Sequence, residues 1–217
     1  TKWIISICIC YGGCPMKVSW NWLTDYVDLK APIEEIAERL TMAGLTVEGL
    51  EETPEDFVLE VEITSNRPDW LSHLGVAREL AALYGLSAKV PKVAPAEKGK
   101  DVASESALEV HDFKGCPFYT GRVIKGVKVG PSPEWLGKKI EAVGLRSVNN
   151  IVDATNYVLY ECGQPLHAFD LARLSGRKVV VRRAKQGEIL ALIDGSKQEL
   201  KDCDLVIADA KEPIALA

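Results

Sequence analysis

Five short polar side chains, Asn149, Asn150, Asp153, Thr155 and Asn156, fall within eight consecutive positions, with Ile151 and Val152 among them and Tyr157, Val158 and Leu159 directly after. Amides and hydroxyls of this size orient a substrate or a water through hydrogen bonds. A solvent loop has no use for so many aliphatic residues, and a plain buried helix would not carry so many amides. The mixture points to an element half-buried in a core, with its polar edge toward a cleft. Eleven residues after Asn156 stands His167, inside Gly163-Gln164-Pro165-Leu166-His167-Ala168-Phe169-Asp170. Gly-Gln-Pro enforces a turn, which places His167 near a loop edge. A histidine of near-neutral pKa can take or hold a proton, although a single histidine beside Leu166 and Phe169 is more often a packed, hydrogen-bonded structural residue. The sequence has no Ser-His-Asp spacing, no G-x-S-x-G, no phosphate-cradling glycine loop and no metal-ligand cluster.

The elements that must position these residues follow from periodicity. Ser19 is a candidate N-cap for a short helix carrying Trp20, Leu23, Tyr26 and Val27. After Pro32, Ile33, Ile36, Ala37, Leu40 and Ala43 keep helical spacing up to Gly44. Residues 45–50 read as a strand, and 57–63 as a second in which Phe57, Leu59, Val61 and Ile63 share a face. Residues 64–69 form a turn cluster, with Asp69 as the expected cap of a helix that runs to Tyr84 and stops at Gly85; Leu74, Ala77, Ala81 and Tyr84 line one side of that helix. Strands resume at 108–111 and 119–125, a helix is expected over 132–143, and late strands over 178–183 and 204–208 are separated by a hairpin-like Asp194-Gly195. The mixture is α+β, without regular strand–helix alternation and without an internal repeat.

Composition bounds the function. The 217 residues are 47% hydrophobic and 26% charged, an ordinary balance for a folded chain. The net charge of -5 is opposite to that of a strongly basic nucleic-acid binder, so RNA contact needs a local basic patch rather than the overall field. No apolar run approaches the ~20 residues that a membrane span needs. The six cysteines show neither disulfide rhythm nor paired zinc spacing and read as reduced thiols of a cytoplasmic protein. Residues 1–15 read as a leader unrelated to the pattern that begins at Met16. The expected organisation is that leader, a first domain over 16–88, a Pro-, Ala- and Lys-rich linker over 89–107, and a second domain over 108–217.

Three stretches carry a resemblance. Residues 153–157, Asp-Ala-Thr-Asn-Tyr, followed by Gly-Gln-Pro-Leu-His-Ala-Phe-Asp at 163–170, are similar to the editing domain of the bacterial phenylalanyl-tRNA synthetase β chain; MKVSWNWLTDYVDL, LTMAGLTVEGLE and LEVEITSNRPDWLSHLGVARELAALYG resemble that subunit's first domain. The likeness runs from about Met16 to Ala217. It implies an N-terminal helix-and-strand domain followed by a truncated mixed-sheet editing, tRNA-binding domain. It implies part of an α2β2 phenylalanine–tRNA ligase in which aminoacylation, with ATP and magnesium, resides in the α chain, and no cofactor or metal is expected in this chain. The implied activity is hydrolysis of tyrosine wrongly esterified to tRNA(Phe), in the cytoplasm, with no DNA or membrane partner.

Carried over residue by residue, His167 and Asn156 are expected to hold the attacking water or the terminal ribose, and Thr155 the substrate amine or backbone. Arg146 is a candidate phosphate or terminal-adenosine contact, with a plain surface arginine weighed equally against it. Arg182, Arg183 and Lys185 are a candidate tRNA patch, although a solvated strand face is the commoner meaning of such residues. The corner Asn66-Arg67-Pro68-Asp69 is expected to be structural, and Trp70 sits where the family is expected to have a smaller residue, often cysteine. Two departures stand out. Only the linker 51–56 occupies the place where many members insert an OB-fold, and the chain stops at Ala217, before a glycine-rich loop and an acidic residue that help build the family's pocket. The competing expectation is therefore an inert structural or RNA-binding module; a free-standing hydrolase would need a complete pocket and no first domain.

Overall fold

The computed structural model describes the backbone of residues 2–7 and the whole of residues 15–192 and 195–217. Its elements run β1 (Lys2–Ile7), β2 (Met16–Ser19), α1 (Trp20–Leu23), α2 (Ile33–Met42), β3 (Thr46–Glu52), β4 (Phe57–Glu62), α3 (His73–Leu83), β5 (Ala107–Val110), β6 (Gly121–Lys125), α4 (Glu134–Ala142), α5 (Asn150–Cys162), β7 (Leu166–Asp170), β8 (Lys178–Arg183), β9 (Ile189–Ala191), β10 (Lys197–Glu199), β11 (Leu205–Ala208) and β12 (Pro213–Leu216). Short 3-10 turns occupy Pro68–Trp70, Val102–Ser104 and Ser175–Arg177. The class is α+β, as the periodicity predicts.

The chain divides into a helix-rich unit, Cys10–Pro95 with Val129–Pro165, and a sheet unit, Thr1–Ile9 with Ala96–Lys128 and Leu166–Ala217. The units interleave along the chain, whereas the sequence pattern reads as successive segments. Residues 89–100 carry no helix or strand and are exposed throughout.

In the helix-rich unit β4 lies between β2 and β3, antiparallel to both. Leu59, Val61 and Ile63 are buried and Phe57 is half-buried on the expected face of the strand, and Val58, on its opposite face, is buried as well. Ser19 caps α1 through Trp22 N–H at 3.1 Å. That helix ends at Leu23; Tyr26 and Val27, expected on it, are buried in the turn that follows. Trp22, Ile36, Leu40, Leu59, Trp70 and Leu80 form the centre of the core.

The turn cluster differs from its sequence expectation. Asp69 does not cap α3; Ser72 does, accepting Gly75 N–H at 3.0 Å. Asp69 is instead gripped by Arg67 at 3.0 and 2.8 Å, which holds its carboxyl below the usual range against the opposing effect of burial. The same guanidinium reaches Glu79 at 2.7 Å and lies 3.4 Å from the Trp70 ring centroid. Trp70 is 1% exposed, and its indole N–H donates to Glu79 at 3.0 Å. The large ring thus has a built site rather than a crowded one. The turn packs on α3 where Gly75 stands: a Cβ there would lie 1.7 Å from the Asp69 carbonyl oxygen.

A second long-range tie runs through His73, which is 0% exposed. Its Nε2 accepts Ser19 N–H at 3.1 Å, and its Nδ1 faces the Tyr160 carbonyl oxygen at 2.8 Å. A carbonyl only accepts, so the proton is assigned to Nδ1 and the ring is neutral. Burial is the main cause of a pKa lowered to about 3. The imidazole stacks on Trp22 at 4.1 Å, and Trp22 stacks on Tyr157 of α5 at 4.7 Å. Trp22 Nε1 donates to Tyr26 at 2.9 Å, and the Tyr26 and Tyr157 hydroxyls both donate to Glu161 Oε1, at 2.6 and 3.0 Å.

The sheet unit holds a four-stranded sheet in the order β12-β11-β8-β5, with β5 parallel to β8 and the other pairs antiparallel, and a three-stranded sheet in the order β6-β1-β7. Tyr119, Leu171, Leu174, Val179, Val181 and Ile207 form its core. β9 and β10 pair antiparallel as the expected hairpin, while Asp194 of its turn lies outside the described residues. The sequence pattern sets residues 1–15 apart from the fold, whereas the structure places the backbone of 2–7 between β6 and β7.

Two outcomes follow for stability. Helix propensity alone makes Gly75→Ala stabilising by about 1 kcal/mol, but the close approach of the Asp69 carbonyl reverses the sign. Urea unfolding should show a loss of about 1–3 kcal/mol, typical of overpacking. For His73, the unfolded chain binds the proton near pH 6.5 and the folded chain only near pH 3. Between those values stability therefore falls as pH is lowered, by about 1.4 kcal/mol per pH unit from this one site. His73→Asn keeps a donor for Tyr160 and should flatten that slope between pH 6 and 4.5, where the carboxylates contribute least.

Candidate functional site

α5 begins at a built N-terminus. Asn149 Oδ1 accepts the amides of Ile151 and Val152 at 3.0 and 3.1 Å. Asp153, one turn on, is 0% exposed and accepts Ser132 Oγ at 2.5 Å, Ser147 Oγ at 2.6 Å and Val148 N–H at 3.0 Å. Burial alone would raise the pKa of Asp153; those hydrogen bonds outweigh it and keep the carboxyl below the usual range. Asn149 and Asp153, expected on a polar edge facing a cleft, are thus spent on fixing the helix start and the segment 146–149 before it. Asn150 Oδ1 likewise accepts Gly130 N–H at 3.2 Å.

Thr155 and Asn156 are neighbours on α5 and half-buried. The Thr155 hydroxyl donates to Val152 O at 2.7 Å inside its own helix, which leaves its oxygen free only to accept. Arg146 is exposed on the segment that Asp153 anchors. The helix ends at Gly163, whose φ of 76° is left-handed and where a Cβ would come within 3.3 Å of the Leu71 carbonyl oxygen.

His167 belongs to the sheet unit. It lies within β7 rather than at a loop edge, because residues 166–170 pair along their whole length with β1. Its ring is half-buried and nearly parallel to that of Phe169, 6.0 Å away and tilted by 6°. Burial lowers its pKa, so it is a neutral imidazole at pH 7, with one donor and one acceptor nitrogen.

Arg182 and Arg183 are occupied. Arg182 forms a two-point pair with Glu188 at 2.9 and 2.7 Å, and this pair pulls the Glu188 carboxyl down to about 2 against burial. Arg183 reaches Asp112 at 2.6 Å and also the Cys203 carbonyl. The amide of Lys185 donates to Glu188 at 2.9 Å. The two guanidinium groups are thus each paired with a carboxylate, while Lys185 takes part through its backbone amide. Among the described residues, no group of three or more His, Cys, Asp or Glu side chains stands ready for a metal, and no helix is long and apolar enough to cross a membrane.

Thr155, Asn156 and Arg146 thus lie in the helix-rich unit, and His167, Arg182 and Arg183 in the sheet unit. Within the units, a cleft of about 420 Å³ lined by Asn21, Trp22, Asp56, Lys138 and Lys139, and a cavity of about 390 Å³ lined by Val102, Leu108, Gly121, Val123 and Val179, include none of these six. Sequence reasoning did not single out His73 or Glu161. For His73 a signal was present: it shares the i, i+3, i+4, i+7 stripe with Val76, Ala77 and Leu80.

A protein-family model, the B3/4 domain, matches residues 115–217. A phenylalanine–tRNA ligase β subunit from Rhodopirellula baltica is 49% identical over 201 residues, 93% of this chain and 30% of that protein. Another from Bdellovibrio bacteriovorus is 50% identical over 163 residues, 75% of this chain and 20% of that protein. The chain thus spans less than a third of the length of these relatives. Among solved structures, an N-terminal fragment of the phenylalanyl-tRNA synthetase β subunit from Pyrococcus horikoshii matches with a TM-score of 0.48 at 15% identity, covering 93% of this chain and 60% of that one. By sequence the chain is similar, over most of its length, to phenylalanine–tRNA ligase β subunits, and its residues 115–217 match the B3/4 domain.

Proposed function

We propose that this chain is the part of a phenylalanine–tRNA ligase β subunit that contributes to binding tRNA(Phe) and to hydrolysing tyrosine wrongly attached to it. The observation that carries the reading is the pairing of sequence and state at one stretch. The residues Asp153 to Tyr157 and Gly163 to Asp170 hold the editing-like signature, and its histidine is kept neutral by burial. Tyrosine differs from phenylalanine by one hydroxyl, which an apolar pocket rejects only weakly, so a hydrolytic second sieve has a physical purpose. In this reading water attacks the ester carbonyl, and the products are tyrosine and the free ribose hydroxyl of the tRNA. His167, through its acceptor nitrogen, and Asn156, through its amide, hold the water or the terminal ribose. The Thr155 oxygen accepts from the substrate amine. RNA contact falls first to Arg146, whose position is exposed and anchored by Asp153; Arg182 and Arg183 take a lesser part because Glu188 and Asp112 already neutralise them. The partner is a synthetase α chain in an α2β2 assembly that carries ATP, magnesium and aminoacylation, in the cytoplasm.

The test is deacylation of tyrosyl-tRNA(Phe), with phenylalanyl-tRNA(Phe) as the control ester. This chain alone is expected to be inactive; the complete β subunit is expected to release tyrosine above the buffer rate, falling by at least about 100-fold in its His167→Ala variant, the scale of a lost acid–base group. The rate should be level at neutral pH and decline as pH drops through a pKa below 6.5, where the imidazole takes a proton. Release no faster than buffer, by this chain and by the complete β subunit alike, would leave the structural or RNA-binding role that a gel shift with tRNA(Phe) then measures.

A further inference from the structure

β6 and β7 are not hydrogen-bonded to each other; the sheet they share exists through β1, which lies between them. Residues 2–6 stand opposite Lys125 to Gly121 on one side, and residues 3–7 opposite Asp170 to Leu166 on the other, antiparallel in both cases. Six residues thus satisfy two strand edges at once, edges that would otherwise present rows of unpaired amides and carbonyls. No hairpin turn attaches β1 to either neighbour. Both pairings are distant in sequence. A strand held in this way depends on its backbone ladders rather than on a turn that fixes its register. The occupying sequence, Lys-Trp-Ile-Ile-Ser-Ile, has the β-branched and aromatic make-up that favours a strand.

We propose that β6 and β7 form a strand-acceptor slot, which binds an extended β-branched segment by backbone pairing along both of that segment's edges, and that residues 2–7 are its occupant in this chain. Recognition is two-sided, unlike ordinary strand addition at a single free edge. It is also selective for the backbone: any residue that cannot donate an amide breaks a ladder. Ser6 stands opposite His167, so filling the slot also fixes the strand that carries His167. The proposal stands whatever the chemical role of that histidine.

Hydrogen–deuterium exchange reads the slot directly. In the intact chain, Ile5→Pro removes a ladder amide from a central strand. Exchange over Gly121–Lys125 and Leu166–Asp170 should then quicken by about tenfold or more, while Val179–Val181 in the four-stranded sheet keep their protection, as expected of a local opening. A chain beginning at Met16 should show the same pattern. A peptide spanning residues 1–9 should restore protection to it, and the same peptide carrying the Ile5→Pro change should not. Unchanged exchange at β6 and β7 in both variants overturns the proposal, as does failure of the peptide to restore protection in a folded shortened chain. If the shortened chain does not fold, the intact Ile5→Pro variant decides alone. Sedimentation of the intact chain reads which copy fills the slot: a monomer supports residues 2–7 of the same chain, and a dimer dissolved by excess peptide overturns that assignment in favour of a second copy.

Discussion

The helix-rich unit depends on one uncharged imidazole. His73 lies on α3, yet its two ring nitrogens serve other elements: Ser19 N–H at the head of α1 and the Tyr160 carbonyl near the tail of α5. Both bonds need the neutral ring with its proton on Nδ1. A second proton on Nε2 would face the Ser19 amide donor to donor, inside a site with no exposure to water that could dissipate the charge. The stack of His73, Trp22 and Tyr157 then turns this polar bridge into part of the apolar core. Ser19 shows how tightly the ties are shared. Its amide goes to His73, while its hydroxyl oxygen accepts from Trp22 and donates to Asp56 at 2.5 Å.

α5 is consequently held at both ends by groups of opposite character. At its start, the ionised and buried Asp153 collects hydroxyl and amide donors from the two segments that precede the helix. At its end, the Tyr160 carbonyl meets a neutral donor, and Glu161 accepts from two tyrosines. Burial raises the pKa of Tyr26, chiefly, with Glu161 adding to the effect, so that hydroxyl remains a donor. Thr155 and Asn156 sit between these clamps. Their side chains stand on a helix backbone hydrogen-bonded to other segments near both ends, the kind of support that an orienting site needs. The polar residues that make this stretch look functional therefore divide into two kinds. Asn149 and Asp153 build the platform, and Asn156 is displayed on it.

How much of this was legible depends on distance along the chain. Local rules find the α2 helix and its Gly44 stop, the α4 helix, and the alternation of β4, because each is written within one or two turns of sequence. The corner at 64–75 was misjudged although it is local. Asp69 is as good a cap by type as Ser72, but Arg67 claims it, and Arg67 is itself tied to Glu79, two turns into the next helix. The sequence points His167 to a loop edge because the turn before it is visible in Gly-Gln-Pro, whereas the strand that captures it is formed with residues 2–7, far away in sequence. Arg182 and Arg183 read as exposed basic residues for the same reason. Asp112, which takes Arg183, lies on a different segment, and the short loop that folds Glu188 back on Arg182 has no strong signature.

Those ion pairs bear on what kind of RNA contact this chain can make. With a net charge of -5 and the guanidinium groups of Arg67, Arg182 and Arg183 all committed to carboxylates, the long-range field gives a polyanion little attraction. A binder that works by releasing counterions needs unpaired cations in a row. Within the helix-rich unit, a surface that presents one anchored arginine, at Arg146, and the half-buried Thr155 and Asn156 can instead recognise a chain end by hydrogen-bond geometry, where each polar group has a fixed direction and the cost of ordering it has already been met by the fold. Such a surface would add little affinity for tRNA at large and would act on whatever ester is brought to it. That division fits the proposed role, because a hydrolytic site gains from discriminating the aminoacyl group rather than from gripping the tRNA body.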